Sequence, residues 1–150
     1  MNIQIIRRWT LIGAGSLMGI FSPILVQAGC NQSDLTGAWY SYSMSVDSVG
    51  SYAARSYRCK VKINSSGSIV ASKSTCILRD YTGQFKVGVA GGSIKADSKC
   101  NLSGSVKLSS GLGFVDMDHG KLAKDKNTFA VTTHDRDRPG YITHLTAVKQ

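Results

Sequence analysis

Alternating apolar and polar residues recur along most of this chain and constrain its fold more than any other feature. The clearest run covers residues 57–63 (YRCKVKI), in which every second residue is apolar and the residues between are Arg or Lys. This period of two is typical of a strand that buries one of its faces, and no convincing helical period occurs beyond residue 28. The pattern therefore predicts an all-β protein.

Turn residues divide the chain into short predicted strands. Residues 64–67 (NSSG) have turn composition, and Gly91 and Gly92 interrupt the alternation. Further strands are predicted near residues 38–46, 69–78, 85–90, 93–98, 102–108, 112–122, 128–134 and 141–148. About eight short strands joined by turns favour a single antiparallel meander, either a barrel or a sandwich.

Residues 1–28 have the composition of a secretory signal peptide. Arg7 and Arg8 precede an uncharged apolar stretch over residues 11–25, and the sequence VQA at 26–28 suits a signal peptidase. We therefore expect cleavage after Ala28, which leaves residues 29–150 as a single secreted β domain with one hydrophobic core. The expected location is the periplasm or the extracellular medium, and the mature chain is expected to have no membrane span.

The four cysteines, Cys30, Cys59, Cys76 and Cys100, fit an exported domain with two disulfides. No two of them have the Cys-x-x-Cys spacing of a redox motif or a zinc ribbon. An alternative is a lipoprotein anchored at Cys30, because the two residues before it are small. Lipidation would leave one unpaired thiol, so the even number of cysteines favours the product without lipid.

The predicted turn at residues 64–67 constrains the pairing of the cysteines. A tight turn there places Cys59 opposite Ser72, about four residues from Cys76 and too far for a disulfide. Two connectivities remain. They are Cys30 with Cys59 plus Cys76 with Cys100, which we prefer, or Cys30 with Cys76 plus Cys59 with Cys100.

The formal net charge is +9 at pH 7. A basic exported protein can meet anionic partners such as phospholipid, lipopolysaccharide, acidic polysaccharide or nucleic acid. The lysines are spread along the predicted strands rather than clustered, and no aromatic-rich RNA-binding signature accompanies them. These lysines are Lys60, Lys62, Lys73, Lys86, Lys95, Lys99 and Lys107. We interpret the charge as a solvated face and do not expect nucleic acid as a partner.

Two strands near the carboxyl end are predicted to form a hairpin around residues 125–127 (DKN). If the last residue of this three-residue loop takes the left-handed conformation, Lys124 lies opposite Thr128. This register brings together two short charged runs, residues 116–119 (DMDH) and 134–138 (HDRDR).

In this register Asp118 lies opposite His134, and Asp116 lies opposite Arg136. A face that gathers carboxylates and an imidazole can form a metal site or an acid/base pair, with Asp116, Asp118 and His134 as candidate ligands. The competing interpretation, which we favour, is a ladder of cross-strand ion pairs facing solvent. Since no activated nucleophile and no complete ligand set is visible, we assign no catalytic, cofactor or metal residues and expect a protein that is not an enzyme.

Residues 34–40 (DLTGAWY) contain a Gly-x-Trp sequence, Gly37 to Trp39, and resemble the first strand of calycins, the superfamily of lipocalins and avidins. The resemblance implies an antiparallel barrel with an internal ligand cavity, whose Trp closes the base against a basic residue from a late strand. Arg136 or Arg138 is the expected partner. Because Trp39 is the only Trp beyond residue 28, the set of tryptophans that surrounds biotin in avidins is missing, and biotin binding is not supported.

The more apolar parity of the same segment consists of Ala38, Tyr40, Tyr42, Met44 and Val46. Since the buried positions of a half-buried strand are usually apolar, these residues are expected to face inside. Trp39 then lies on the opposite face unless a bulge intervenes.

These observations favour an exported, non-catalytic β-barrel that binds an apolar or anionic small ligand or a lipid, without a cofactor. A filled core is equally compatible with the pattern, because the chain makes only a small barrel. The residues expected to line the core or the cavity are Trp39, Tyr40, Tyr42, Val61, Phe85, Val87 and Phe129.

Two other functions remain open. One is a secreted surface interaction protein, an inhibitor of an extracellular hydrolase or a component of an adhesive assembly, whose partner is an envelope or extracellular protein. Its aromatic and arginine anchors would be Tyr52, Arg55, Tyr57 and Arg58, or the loop at residues 135–138. The other is a metal-dependent hydrolase built on Asp116, Asp118 and His134.

Overall fold

The alternation of apolar and polar residues is realised in eight strands that form one closed antiparallel barrel. The structure, a computed structural model, describes residues 29–47, 54–109 and 111–150. The strands are β1 (Gly37–Asp47), β2 (Arg55–Ile63), β3 (Thr75–Asp80), β4 (Gly83–Ala96), β5 (Asn101–Leu108), β6 (Phe114–Leu122), β7 (Thr128–Asp135) and β8 (Arg138–Lys149). Each strand pairs with the next, and β8 pairs with β1 to close the barrel. The predicted meander is confirmed, and it is a barrel rather than a sandwich.

The two strands predicted on either side of Gly91 and Gly92 form one long strand, β4. Its register against β5 shifts between Val89 and Gly91, so the glycines make a bulge instead of ending the strand. Gly92 has a φ of 120°, and an added Cβ would stand 2.2 Å from the Ser105 carbonyl oxygen of β5. Only glycine satisfies both the left-handed backbone and this close approach.

The connection between β2 and β3 is longer than the predicted tight turn. Ile69 bridges back to Ile63, and a short 3-10 helix over Ala71–Lys73 follows before β3 begins. These additional residues change the register of the two strands. As a result Cys59 lies directly opposite Cys76.

The disulfides are Cys59–Cys76 and Cys30–Cys100, so both connectivities derived from the sequence are wrong. The error arose from the assumed tight turn, which excluded the pair that the longer connection brings together. A Cys30 sulfur in a disulfide cannot also carry a lipid, which argues against the lipoprotein alternative. Two disulfides are typical of proteins in an oxidising, non-cytoplasmic compartment.

The interior of the barrel is mainly apolar, but β1 contributes serines to it. Inward residues of β1 include Trp39, Ser41 and Ser45, which expose 1%, 5% and 2% of their surface, whereas Tyr42 and Met44 expose 64% and 61%. The more apolar parity of β1 therefore faces outside, contrary to the prediction. No bulge interrupts β1 against either neighbour, so burial of the large Trp39 ring turns the alternate residues outward.

The core around Trp39 comes from every strand and from a short 3-10 helix, Gln32–Leu35, that precedes β1. Leu35 at the end of this helix is fully buried. Other fully or almost fully buried hydrophobic residues are Ile63, Cys76, Val87, Val89, Ile94, Leu102, Leu122, Phe129, Val131 and Ala147. The helix covers one end of the barrel, and these side chains fill much of its interior.

Some predictions fall on residues that the structure does not describe. They are the signal peptide over residues 1–28, the surface anchor Tyr52 and the side chain of Val46. Among the described residues, no helix has the length and hydropathy needed to cross a membrane.

Candidate ligand site at one end of the barrel

The two ends of the barrel are closed in different ways. At one end, which we call the base, the Trp39 Nε1 donates to the Leu35 carbonyl oxygen at 2.7 Å, and the Trp39 ring packs against Phe129 with centroids 4.7 Å apart. The Lys149 Nζ lies 5.7 Å from the Trp39 ring centroid and donates to the Asp34 carbonyl oxygen at 2.9 Å. A Trp at the base beside a cation from the last strand is the kind of arrangement that the calycin resemblance implied.

The cation beside Trp39 is Lys149, and the prediction of Arg136 or Arg138 was wrong. Arg136 lies outside the barrel, where it donates to both Asp116 carboxylate oxygens at 2.7 and 2.6 Å. Arg138 is the first residue of β8, whereas Lys149 is the last and pairs with Trp39. The pairing of the last strand with the first decides which of these cations reaches the base.

A second set of contacts closes the base. The Lys126 Nζ donates to the Asp34 Oδ2 at 2.9 Å, and the Cys30–Cys100 disulfide joins the same amino-terminal segment to the barrel. The backbone N–H of Asn31 also donates to the Asp34 carboxylate. This backbone hydrogen bond, followed by the one from Lys126, lowers the pKa of Asp34 below its usual value. The base is packed, cross-linked and internally hydrogen-bonded.

The opposite end, which we call the mouth, carries two arginines over one aromatic ring. The guanidinium carbons of Arg55 in β2 and Arg138 in β8 lie 5.1 and 5.5 Å from the Tyr141 ring centroid. The Arg138 Nε is 3.6 Å from the Asp135 carboxylate, whereas Arg55 forms no ion pair with any described residue. Of these two arginines, only Arg138 has a carboxylate at ion-pair distance among the described residues.

Arg55 also carries a buried polar atom without a partner. Its Nε is buried and has no hydrogen-bond partner among the described residues. A buried donor without an acceptor costs about 1–3 kcal/mol, and more when the group is charged. Next to Arg55, burial raises the pKa of the Tyr57 phenol, while the Arg55 charge opposes this shift. Tyr57 is therefore neutral near pH 7 and keeps its hydroxyl proton as a donor.

The arginines border a cavity of about 80 Å³ inside the barrel. Its walls combine hydroxyl groups and apolar side chains, among them Ser41, Ser43, Ser45, Thr133, Thr143, Val106, Leu108, Leu112, Val115 and Leu145. A smaller void of about 40 Å³ lies beside Trp39 and Phe129 at the base. Because sites for drug-sized ligands span about 300–1,000 Å³, the cavity near the mouth can enclose only a compact group.

Four of the seven residues predicted to line the interior lie there, namely Trp39, Val61, Val87 and Phe129. Tyr40 and Tyr42 instead face outside, because they alternate with the buried Trp39. Tyr40 contacts Lys60, whose Nζ lies 5.6 Å from the ring centroid. Phe85 shares the parity of buried Val87, but it lies near the start of β4 and is 47% exposed.

Sequence reasoning did not identify the mouth as a site. Arg55 and Tyr57 were named as anchors of the alternative surface interaction protein, whereas the structure places both at the cavity. The alternation of β2 already put Tyr57 on the buried parity with Cys59 and Val61, and Arg55 shares that parity. No local signal distinguished Tyr141, whose role depends on the pairing of β8 with its neighbours.

The acidic residues and His134 form two separate pairs outside the barrel. The Asp118 Oδ1 lies 2.7 Å from the His134 Nδ1, and Arg136 binds Asp116 through two hydrogen bonds. The hydrogen bonds from Arg136 lower the pKa of the Asp116 carboxyl. In the described part of the chain, no group of three or more His, Cys, Asp or Glu side chains could hold a metal ion. The three candidate ligands are thus divided between two pairs, and the geometry resembles the predicted ladder.

The backbone register behind these pairs differs from the prediction. Lys126, with a φ of 59°, takes the left-handed position, and the Ala123 N–H donates to the Thr128 carbonyl oxygen. A register shift between Met117 and His119 then adds a bulge, which places Asp116 rather than Asp118 opposite His134. The predicted partners still meet, because the Asp118 side chain reaches His134 from the bulge.

Comparison with known proteins adds little to this geometry. No protein-family model matches the chain. No curated protein matches it either. Among solved structures the chain is similar to the S-type phycobiliprotein lyase CPES from Guillardia theta, at 8% identity and a TM-score of 0.44, over 83% of this chain and 96% of that chain. At this identity and TM-score the similarity extends to no ligand, residue or reaction.

Proposed function

We propose that the protein is an exported, non-catalytic β-barrel that binds a small organic anion at its mouth. The proposal rests mainly on Arg55, which lies at the edge of an internal cavity. Its side chain is charged, and its buried Nε has no acceptor among the described residues. A carboxylate or phosphate is the group that a guanidinium matches best, because it accepts two parallel hydrogen bonds. Such a group would supply the acceptor that the Arg55 Nε lacks in the described part of the chain.

The dimensions and lining of the cavity support a compact ligand. A volume of about 80 Å³ accommodates a carboxylate with a short apolar body, and it is too small for a lipid acyl chain. The hydroxyl groups of Ser41 and Thr133 suit the polar part of such a ligand, and Leu108 and Val115 suit its apolar part. Of the ligands considered from the sequence, the small anion therefore has the most support.

The ion pair between Arg138 and Asp135 favours a single negative charge on the ligand. Arg138 already has Asp135 as a partner, so Arg55 is the cation that remains for a ligand. Tyr57 adds a neutral hydroxyl donor beside it. A monocarboxylate balances the charge of Arg55 and leaves the pair of Arg138 and Asp135 intact.

Export to the periplasm or the extracellular medium is part of the proposal. The predicted signal peptide and the two disulfides support it. The intact mass of protein purified from its own envelope or medium is expected to begin at Gly29. Retention of residues 1–28, or a lipid on Cys30, would contradict export as a free mature domain.

Titration with simple anions tests the ligand. The probes are acetate, butyrate, octanoate and inorganic phosphate, added to the mature protein and followed by calorimetry. Butyrate is expected to bind most tightly, because it fills the cavity further than acetate and octanoate exceeds it. Arg55→Met is expected to weaken butyrate binding at least tenfold, since a hydrogen bond to a charged group contributes about 1.5–3 kcal/mol.

Lys95→Met is the matched control for the titration. Lys95 is an exposed cation of β4 outside the cavity, so its loss changes the net charge equally without touching the mouth. The control variant is expected to bind butyrate as the unmodified protein does. An equal loss of affinity in both variants, or no binding of any of the four anions, would refute the proposed ligand class.

A further inference from the structure

The barrel gathers onto one outer face several cations that lie far apart in the sequence. Cross-strand pairing places Tyr42, Arg58, Ile77 and Lys86 in one row across β1, β2, β3 and β4. Arg79 and Lys60 lie in the adjacent rows, opposite Ser56 and Thr75. Neighbouring strands are about 4.8 Å apart, so this row spans only about 14 Å. We call Arg58, Lys60, Arg79 and Lys86 the basic face.

The basic face has no counter-charges of its own. All four side chains are exposed, and none forms an ion pair with a described residue. No Asp or Glu occurs anywhere in residues 54–79 or 83–96, which include β2, most of β3 and all of β4. On β6 and β7, in contrast, Asp116 and Asp118 are paired with Arg136 and His134. The basic face therefore lacks the carboxylates that pair with cations on β6 and β7.

Exposed apolar side chains lie within the same face. Tyr42 and Met44 in β1 expose 64% and 61% of their surface, and Tyr42 is directly opposite Arg58. A carboxylate-free surface of Lys and Arg around exposed aromatic and apolar groups fits an anionic bilayer. The cations approach the lipid phosphates, while the apolar groups enter the interface between headgroups and acyl chains.

The apolar residues favour a bilayer over a soluble polyanion. Acidic polysaccharides and nucleic acids would use the four cations, but they offer no apolar phase for Met44. Single-stranded nucleic acids also gain from bases that stack on aromatic rings, and of Tyr42, Met44 and Ile77 only Tyr42 provides such a ring. We infer that the basic face docks the protein on membranes that contain anionic phospholipid.

Sedimentation with lipid vesicles tests this inference. The mature protein is expected to bind vesicles of equal parts phosphatidylglycerol and phosphatidylcholine, and to bind pure phosphatidylcholine vesicles at least tenfold more weakly. Added salt should weaken binding to the anionic vesicles, because it screens exposed charges. Equal binding to both kinds of vesicle would overturn the inference.

Two triple variants locate the binding surface. The first, Arg58→Ser, Lys60→Ser and Arg79→Ser, is expected to reduce binding to the anionic vesicles at least tenfold. The matched control is Lys95→Ser, Lys99→Ser and Lys124→Ser, which removes the same charge from exposed residues elsewhere. The control should bind within about threefold of the unmodified protein if only surface-proximal cations contribute. An equal loss in both variants would show that net charge alone is responsible and would overturn the inference.

A third variant separates a bilayer from a soluble polyanion. Tyr42→Ser with Met44→Ser keeps every cation but removes the exposed apolar groups. This variant is expected to bind anionic vesicles at least fivefold more weakly, while its binding to heparin and to a thymidine oligonucleotide stays as it is in the unmodified protein. Unchanged vesicle binding would remove the apolar contribution that favours a bilayer over a soluble polyanion and would overturn the inference.

Discussion

The base and the mouth of the barrel use similar residues in different ways. Each places a cation near an aromatic ring, Lys149 beside Trp39 at the base and Arg55 over Tyr141 at the mouth. At the base the cation also donates to the Asp34 carbonyl oxygen, and the Trp39 ring is almost completely buried. At the mouth the buried Arg55 Nε has no acceptor within the described chain. The base pairs its cations with groups of its own segment, whereas the mouth leaves the charged Arg55 side chain without an ion pair among the described residues.

The two ends also differ in how firmly they are held. The Cys30–Cys100 disulfide and the Lys126 ion pair fix the segment that covers the base. The Cys59–Cys76 disulfide lies between the ends and lines the cavity. We therefore expect stability to depend mainly on the base and ligand binding mainly on the mouth.

Replacement of Trp39 should have the largest effect on stability. Trp39→Ala removes a buried ring from a packed site, and such a change costs about 3–5 kcal/mol. Urea unfolding followed by far-UV circular dichroism measures the loss. Tyr42→Ala on the same strand is the control, since Tyr42 is 64% exposed and its loss should cost less than about 0.5 kcal/mol. Equal losses would contradict the assignment of Trp39 to the core.

The disulfides should rank next, and the one at the base should contribute more. Cys30 and Cys100 are 70 residues apart and Cys59 and Cys76 only 17, so the closed loops differ in length. The chain-entropy model gives about 4 kcal/mol for the longer loop and about 3 kcal/mol for the shorter one. The double variants Cys30→Ser with Cys100→Ser, and Cys59→Ser with Cys76→Ser, are compared by urea unfolding. A larger loss from the second would show that the base is not the more restrained region.

Replacement of Arg55 should separate the two ends most clearly. Arg55→Met loses a cation–π contact of about 0.5–1 kcal/mol but also removes a buried donor without an acceptor. These opposing contributions should leave the free energy of unfolding within about 1 kcal/mol of the original value. Urea unfolding without added ligand measures this change. A loss as large as that of Trp39→Ala would make Arg55 a structural residue and remove the contrast between the ends.

The fold was predictable because period-two alternation is a local property of each strand. Residues 57–63 correspond closely to β2, and the other predicted strands differ mainly at their boundaries. The exceptions depend on contacts between distant residues. The glycine bulge in β4 is determined by the close approach of Ser105 from β5, and the Cys59–Cys76 pair depends on how residues 64–74 are arranged.

The candidate site was less predictable because it exists only when the barrel closes. Arg55 and Tyr141 meet through the pairing of β1 with both β2 and β8, and no short sequence pattern specifies this pairing. The sequence also predicted the wrong face of β1 to point into the barrel, for a related reason. One buried Trp39 outweighs several smaller apolar residues of the other parity, and a count of apolar positions does not measure this difference.

Acid should weaken the base more than the mouth, although this is the smallest expected effect. The pKa of Asp34 is lowered first by the Asn31 backbone hydrogen bond and then by Lys126, and that of Asp80 near the mouth is lowered by Thr82. A carboxyl whose pKa is lower in the folded state stabilises the fold above its unfolded pKa, near 4, and this contribution is lost as the pH falls through the folded pKa.

Asp34→Asn should therefore flatten the decline in stability below about pH 4 more than Asp80→Asn does. Of these two carboxylates, only Asp34 has a cation within an ion-pair distance among the described residues. Urea unfolding at a series of pH values between about 5 and 2 measures the two slopes. The Asp34 variant should also respond less to salt, since its ion pair with Lys126 is absent. If Asp80→Asn flattens the decline more, the acid-sensitive contacts lie at the mouth. The chain's own polar groups would then contribute more to stability at the mouth than at the base.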